Sequence, residues 1–239
     1  MAHFLLIHGS WHGAWCWYKI APRLRAHGHR VTAPDLPGRR HDRRLTQFIN
    51  LSYMANNVSR YLPSDQKTTI VVHSRYGVLA SRLAEMFPER IARTIYLASY
   101  MLPTDRAAAS YFRADKGSLL QPYVTISKTG LWDFLDPAIY RDALYHDCSD
   151  DDNMLGCSLL CREPLRPAIA KNTLTDANYG QVSRAYIRLT EDCAVAPMLQ
   201  DRVINESGVD RVEEIAASHS AYFSKPDELT DVILKLSQG

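Results

Sequence analysis

The feature that most constrains this chain is its rhythm. Short apolar runs rich in β-branched and aromatic residues recur along it. They are "HFLLIH" (residues 3 to 8), "RVTAPDL" (30 to 36), "TTIVVH" (68 to 73), "RTIYLASY" (93 to 100), "RAYIRLTED" (184 to 192) and "RVEEIAAS" (211 to 218). Between most of them lie helical patterns. "WCWYKIAPRLRAHG" is closed by Gly28 as a C-cap, and "GVLASRLAEMFPER" puts Leu79, Leu83 and Met86 on one face. Near-continuous apolar strands alternating with helices specify an α/β fold, with a mostly parallel sheet of about six strands covered by helices on both faces. The rhythm breaks between about 103 and 180, in a segment rich in Pro, Asp and Tyr. It carries helical pieces such as "PAIYRDALYHDC" and no strand pattern. The expectation is one domain, in which residues 1–102 and 181–239 form the core and residues 103–180 an inserted helical cap. The cap would sit over the C-terminal edge of the sheet, where open α/β folds place their ligands.

Composition narrows the function classes. With 239 residues, 46% of them hydrophobic, the chain can bury a full core without disulfide or metal. Its 28 basic and 26 acidic residues leave a net charge of +2, no footprint for nucleic acid or a membrane surface. The densest basic run, "PGRRHDRR" at 37 to 44, reads as a solvated loop. "MAHFLLIHG" has too short an apolar run for a signal peptide, and no stretch approaches the length of a membrane span. Five cysteines at 16, 148, 157, 161 and 193, an odd number and scattered, suit a reducing cytosol. Cys157 and Cys161 would share a helix face, but zinc needs a second ligand pair that is not evident.

The chemistry begins at "VVHSRYG", where a β-branched run passes through His73-Ser74 straight into a helical pattern. A serine nucleophile needs a base within hydrogen-bond reach, an acid to orient that base, and amide donors for the oxyanion. Ser74 follows "TTIVVH", Asp192 closes "RAYIRLTED", and His219 follows "RVEEIAAS". Singly these are ordinary: a helix N-cap, a turn residue and a surface histidine. Together they are nucleophile, acid and base, in that order, at three strand ends of one sheet. At the front, "LLIHGSWHGAW" places Gly9 and Ser10 just after the first strand, so that the Ser10 amide can face an oxyanion together with the amide of Arg75. His12 reads as a residue that hydrogen-bonds the loop backbone. Gly9, Trp11, His12, His73, Tyr76, Tyr123 and Trp132 are candidates for the substrate pocket. With Trp15, Trp17 and Phe134 they suggest an apolar, aromatic site.

These residues carry a resemblance. The chain resembles the plant methylesterase and hydroxynitrile lyase family of the α/β-hydrolases, with its small bacterial esterase relatives. The likeness runs nearly end to end, through "LLIHGSWHGAWCWYKIAPRLRAHGHRVTAPDL", "LYHDCSDDDN", "YIRLTED" with Gln200, and "FSKP". It implies an α/β-hydrolase fold acting on small esters without metal or organic cofactor, often as a dimer, with Ser74, Asp192 and His219 in the triad positions. Family members that are lyases carry threonine at the position of Gly9 and lysine directly after the catalytic histidine. Here the second position is Ser220, which brings no cation to an anionic leaving group, so ester hydrolysis is favoured.

One departure stands out. The serine motif G-x-S-x-G has lost both glycines, to Val72 and Tyr76, and Gly77 arrives one place late. The elbow can persist through local repacking, leave the serine poorly aimed, or serve a non-hydrolytic use as a lyase, cyclase, decarboxylase or ligand-binding receptor. Because acid, base and oxyanion loop all remain, the expectation is a working Ser74. The Arg75 side chain would either face solvent or hold a substrate anion.

Overall fold

A computed structural model describes residues 1–39, 42 and 45–238, which leaves Arg40, His41, Arg43 and Arg44 of the basic run outside the described residues. In chain order the strands are β1 (His3–Ile7), β2 (Arg30–Thr32), β3 (Thr68–His73), β4 (Ile91–Leu97), β5 (Val124–Ile126), β6 (Trp132–Leu135), β7 (Glu163–Pro164), β8 (Ser183–Leu189) and β9 (Arg211–Ile215). Six of them build one parallel sheet in the order β2-β1-β3-β4-β8-β9. These six are the apolar runs read from the sequence.

Alternation of side chains along each strand feeds two cores. From β1, Phe4 and Leu6 enter one core while Leu5 and Ile7 enter the other. Val71 of β3 joins the first, and Ile70 and Val72 join the second. The first core is covered by α1 (Ile20–Ala26) and, near the C-terminus, by the helix Pro226–Ser237; the second is covered by α2 (Leu51–Val58) and α3 (Gly77–Met86). Gly28, at φ +80°, follows α1 in the left-handed conformation expected of a C-cap, and its amide donates to the Arg25 carbonyl. Strand order reverses between β1 and β3, so the loops leaving these two strands open a crevice at their C-terminal ends. Those loops hold Ser10 and Ser74. No helix among the described residues is long and apolar enough to cross a membrane.

The segment between β4 and β8 departs from the expected all-helical cap. It does carry helices, among them Tyr140–Leu144 and Asp150–Leu159, but β5, β6 and β7 form a three-stranded antiparallel sheet within it. These strands are two to four residues long, too short for a periodicity to emerge. The outer strand β5 is largely exposed, and β7 contains Pro164, a residue that suits an edge. Cys157 and Cys161 do not share a helix face, because that helix ends at Leu159 and the Cys161 amide donates instead to the Trp11 carbonyl.

Helix α3 starts hard against the chain that leaves β4. A Cβ on Gly77 would sit 2.5 Å from the Tyr100 carbonyl oxygen and 2.7 Å from its carbon. We expect Gly77→Ala to destabilise the fold by roughly 1–3 kcal/mol through this backbone clash, seen as a lower midpoint in urea unfolding with an unchanged slope.

Candidate active site

Strand β3 ends at His73, and a single turn over Ser74–Tyr76 carries the chain into α3. Ser74 takes φ +58°, a left-handed conformation that a serine adopts only when its surroundings enforce it. The enforcement comes from the end of β4, where the Tyr100 amide (3.0 Å) and the Ser99 hydroxyl (2.5 Å) both donate to the Ser74 carbonyl. The elbow therefore persists despite the loss of its flanking glycines. Val72 is simply a buried strand residue of the second core. Gly77 makes the close approach that the motif usually assigns one residue earlier.

The loops after β8 and β9 deliver Asp192 and His219 to the same point. His219 Nε2 lies 3.0 Å from Ser74 Oγ and Nδ1 lies 2.7 Å from Asp192 Oδ2. All three residues are buried. An Nδ1–H donated to the carboxylate leaves Nε2 unprotonated, the tautomer that can accept the serine proton. The other Asp192 oxygen accepts the amides of Ala194 and Val195 at 2.7 and 2.8 Å. Gln200 pins the same loop through bonds to Leu189 and Val195. His73 donates Nε2–H to the His219 carbonyl at 2.9 Å, and burial holds it neutral by lowering its pKa well below the ordinary histidine value.

The loop after β1 closes over the serine. A Cβ on Gly9 would sit 2.7 Å from His73 Nδ1 and 2.9 Å from Ser74 Cβ, so a side chain there would push the loop away. His12 donates Nδ1–H to the Ser10 carbonyl and accepts from the Tyr145 hydroxyl. Burial drives its pKa down to about 3, so it stays a neutral brace. Ser10, Trp11, Ser74 and Arg75 share one cavity of about 200 Å³, whose remaining wall is mostly apolar and includes Ala108, Phe112, Leu120, Val124, Ile169 and Val195.

Of the residues expected to line the pocket, Trp11 does so; Gly9, His12, His73 and Tyr76 pack behind its wall. Tyr123 and Trp132 correct the expectation. Tyr123 is exposed at the start of β5, and Trp132 lies under the Arg162 guanidinium at 3.9 Å. Phe134 is exposed as well, Trp17 belongs to the first core, and Trp15 stacks on His12. The aromatic contribution to the cavity comes from Trp11, Tyr100 and Phe112.

The larger surprise lies beside the elbow, in a buried polar network that sequence reasoning missed. Tyr76 is fully buried and donates its hydroxyl to Glu163 of β7. Glu163 also accepts the Trp11 amide (2.6 Å) and Arg39 (2.8 Å). Arg39 is thus a buried ion-pair partner, although the basic run containing it read as solvated. Asp133 of β6 accepts Arg75 Nη1 at 2.7 Å and Trp11 Nε1 at 2.8 Å, while the Arg75 guanidinium lies 5.3 Å from the Trp11 ring. Burial works against the charge of either arginine, but the facing carboxylates more than offset it, and both pKa values end above the ordinary arginine range. The one available signal was an acid inside an apolar run, Asp133 in "LWDFL"; Glu163, between Arg162 and Pro164, carried none. Replacing Glu163 by Leu would leave Arg39 charged and buried without a partner. The expected cost is roughly 3–5 kcal/mol of stability, read from chemical unfolding.

Comparison with known proteins agrees with this fold. The alpha/beta hydrolase family model matches residues 4–232. Methylesterase 9 of Arabidopsis thaliana is 34% identical to the chain, over 99% of it and 98% of the relative. Putative methylesterase 11, chloroplastic, from the same plant is 31% identical over 99% of this chain, which spans 64% of that longer protein. The crystal structure of polyneuridine aldehyde esterase superposes with a TM-score of 0.89 at 27% identity, covering all of both chains. The chain belongs to the alpha/beta hydrolase family.

Proposed function

We propose that the protein is a serine hydrolase that cleaves a small carboxylic ester, with a hydrophobic or aromatic acyl part, through an acyl-enzyme. The observation that carries this reading is the unbroken relay from Ser74 Oγ to His219 (3.0 Å) to Asp192 (2.7 Å), opening on a largely apolar cavity. His219, oriented by Asp192, takes the Ser74 proton as Ser74 attacks the ester carbonyl. The Ser10 and Arg75 amides hold the tetrahedral oxyanion, and His219 then protonates the departing alcohol. Water repeats the sequence on the acyl-enzyme.

Similarity to proteins named methylesterases favours a small alcohol as leaving group. The proposal includes a homodimer in the cytosol, as the resemblance read from the sequence implies, although one relative is named chloroplastic. An odd, scattered set of five cysteines suits a reducing compartment. Lyase chemistry on this scaffold is disfavoured because Ser220, next to the base, is neutral and buried, with its hydroxyl bonded to Tyr222.

Purified protein should hydrolyse p-nitrophenyl butyrate, and Ser74→Ala should lower kcat by roughly a thousandfold or more. A fluorophosphonate probe should form a stable adduct located at Ser74 by peptide mass. Unchanged turnover in the Ser74→Ala protein would overturn the covalent mechanism.

A further inference from the structure

The Arg75–Asp133 pair is an anomaly in the cavity wall. Both residues line the same cavity as Ser74, whose other surfaces are largely apolar. Burying charge in such a wall is costly, and nothing in the relay from Ser74 to Asp192 requires these side chains.

Their orientation is closely fixed. Asp133 is held from two sides, by Trp11 Nε1 and by Arg75 Nη1, and the Trp11 ring lies beside the guanidinium. Only one guanidinium nitrogen is thereby used. No other described residue accepts a hydrogen bond from the Arg75 guanidinium, and the side chain keeps about 10% exposure where it meets the cavity. A guanidinium carries five N–H donors, and those that Asp133 does not take remain accessible from the cavity, where an acceptor on a bound molecule can meet them.

Charge decides which acceptor. Arg75 and Arg39 face Asp133 and Glu163, so the network carries two positive and two negative groups and is neutral as a unit. An anionic ligand would lose its hydration and find no net positive charge in this network, the further cation Arg113 of the cavity wall being solvent-exposed, whereas a neutral carbonyl or ether oxygen would meet a polarised, preoriented donor.

The geometry points to a polar subsite, formed by the guanidinium of Arg75 with Asp133 as its anchor, that binds a neutral hydrogen-bond acceptor on the acyl part of the ester. This inference rests on the esterase reading above and specifies its substrate class: esters with an otherwise apolar acyl chain that carries a second carbonyl or ether oxygen. Arg75 thus has two roles, its amide serving the oxyanion and its side chain the substrate.

The test compares kcat/KM for methyl octanoate, for methyl oxooctanoates with the ketone at successive chain positions, and for the monomethyl ester of suberic acid. Wild type should prefer at least one keto ester over methyl octanoate by roughly ten- to hundredfold, the worth of a hydrogen bond to a charged donor. The monomethyl suberate should gain no such preference. In Arg75→Met the keto-ester preference should fall to near unity. Because this variant strands Asp133, R75M/D133N provides a second version in which neither charge is buried alone. If wild type treats the keto esters and methyl octanoate alike, the subsite is wrong. It is equally wrong if it prefers the suberate, which would favour the exposed rim cation Arg113. A preference that survives in both variants also overturns it, as does a fall in rate that is equal for keto and plain esters, the signature of a purely structural pair. Failure of wild type to hydrolyse any of these esters would count instead against the esterase reading.

Discussion

The carboxylate of Glu163 joins three segments of the chain. It accepts the backbone amide of Trp11 from the loop after β1, the guanidinium of Arg39 from the chain beyond β2, and the hydroxyl of Tyr76 from the turn after β3. A carboxylate with no exposure cannot tolerate idle lone pairs, so each donor is held as firmly as the acid itself. Trp11, at φ +60°, is kept in a left-handed conformation by this bond and by the one from its indole to Asp133. Glu163 and Asp133 both belong to the small cap sheet. The segment between β4 and β8 therefore lines the cavity and also braces the backbone that would carry the oxyanion donors.

The elbow itself illustrates how a motif's physical task can move between residues. Flanking glycines let strand, helix and loop approach a strained serine. In this chain the approach comes from Gly9 on one side and Gly77 on the other, each so close to its neighbours that a methyl group would collide. The strain at Ser74 is met by two hydrogen bonds to its carbonyl from the end of β4. Freed from the close contact, position 76 accommodates a large side chain directed into the second core, where its hydroxyl finds an acid.

Much of this was legible in the sequence because it rests on local pattern. Recurring apolar, β-rich runs separated by helical patterns located the six parallel strands, and the type and order of Ser74, Asp192 and His219 at strand ends singled out three side chains that the fold brings within hydrogen-bond reach. The polar network was not legible, because its bonds span 87 residues from Tyr76 to Glu163 and 152 from Trp11 to Glu163, and no periodicity reports such pairings. The cap strands fell below the length at which alternation is visible. Tyr123 and Trp132 show a different limit: aromatic content can suggest an apolar pocket, but burial or exposure of a given ring is set by the tertiary fold.

Tyr76 and Glu163 constrain which substitutions this elbow can accept. A return to glycine at position 76 would empty a side-chain volume and strip one donor from a sealed carboxylate. Loss of the acid alone would strand Arg39 and the Tyr76 hydroxyl together. Neither change comes without a stability penalty, and loss of the acid reaches Arg39 as well, so the three positions are tied together. The result is an elbow that a search for the glycine motif would pass over.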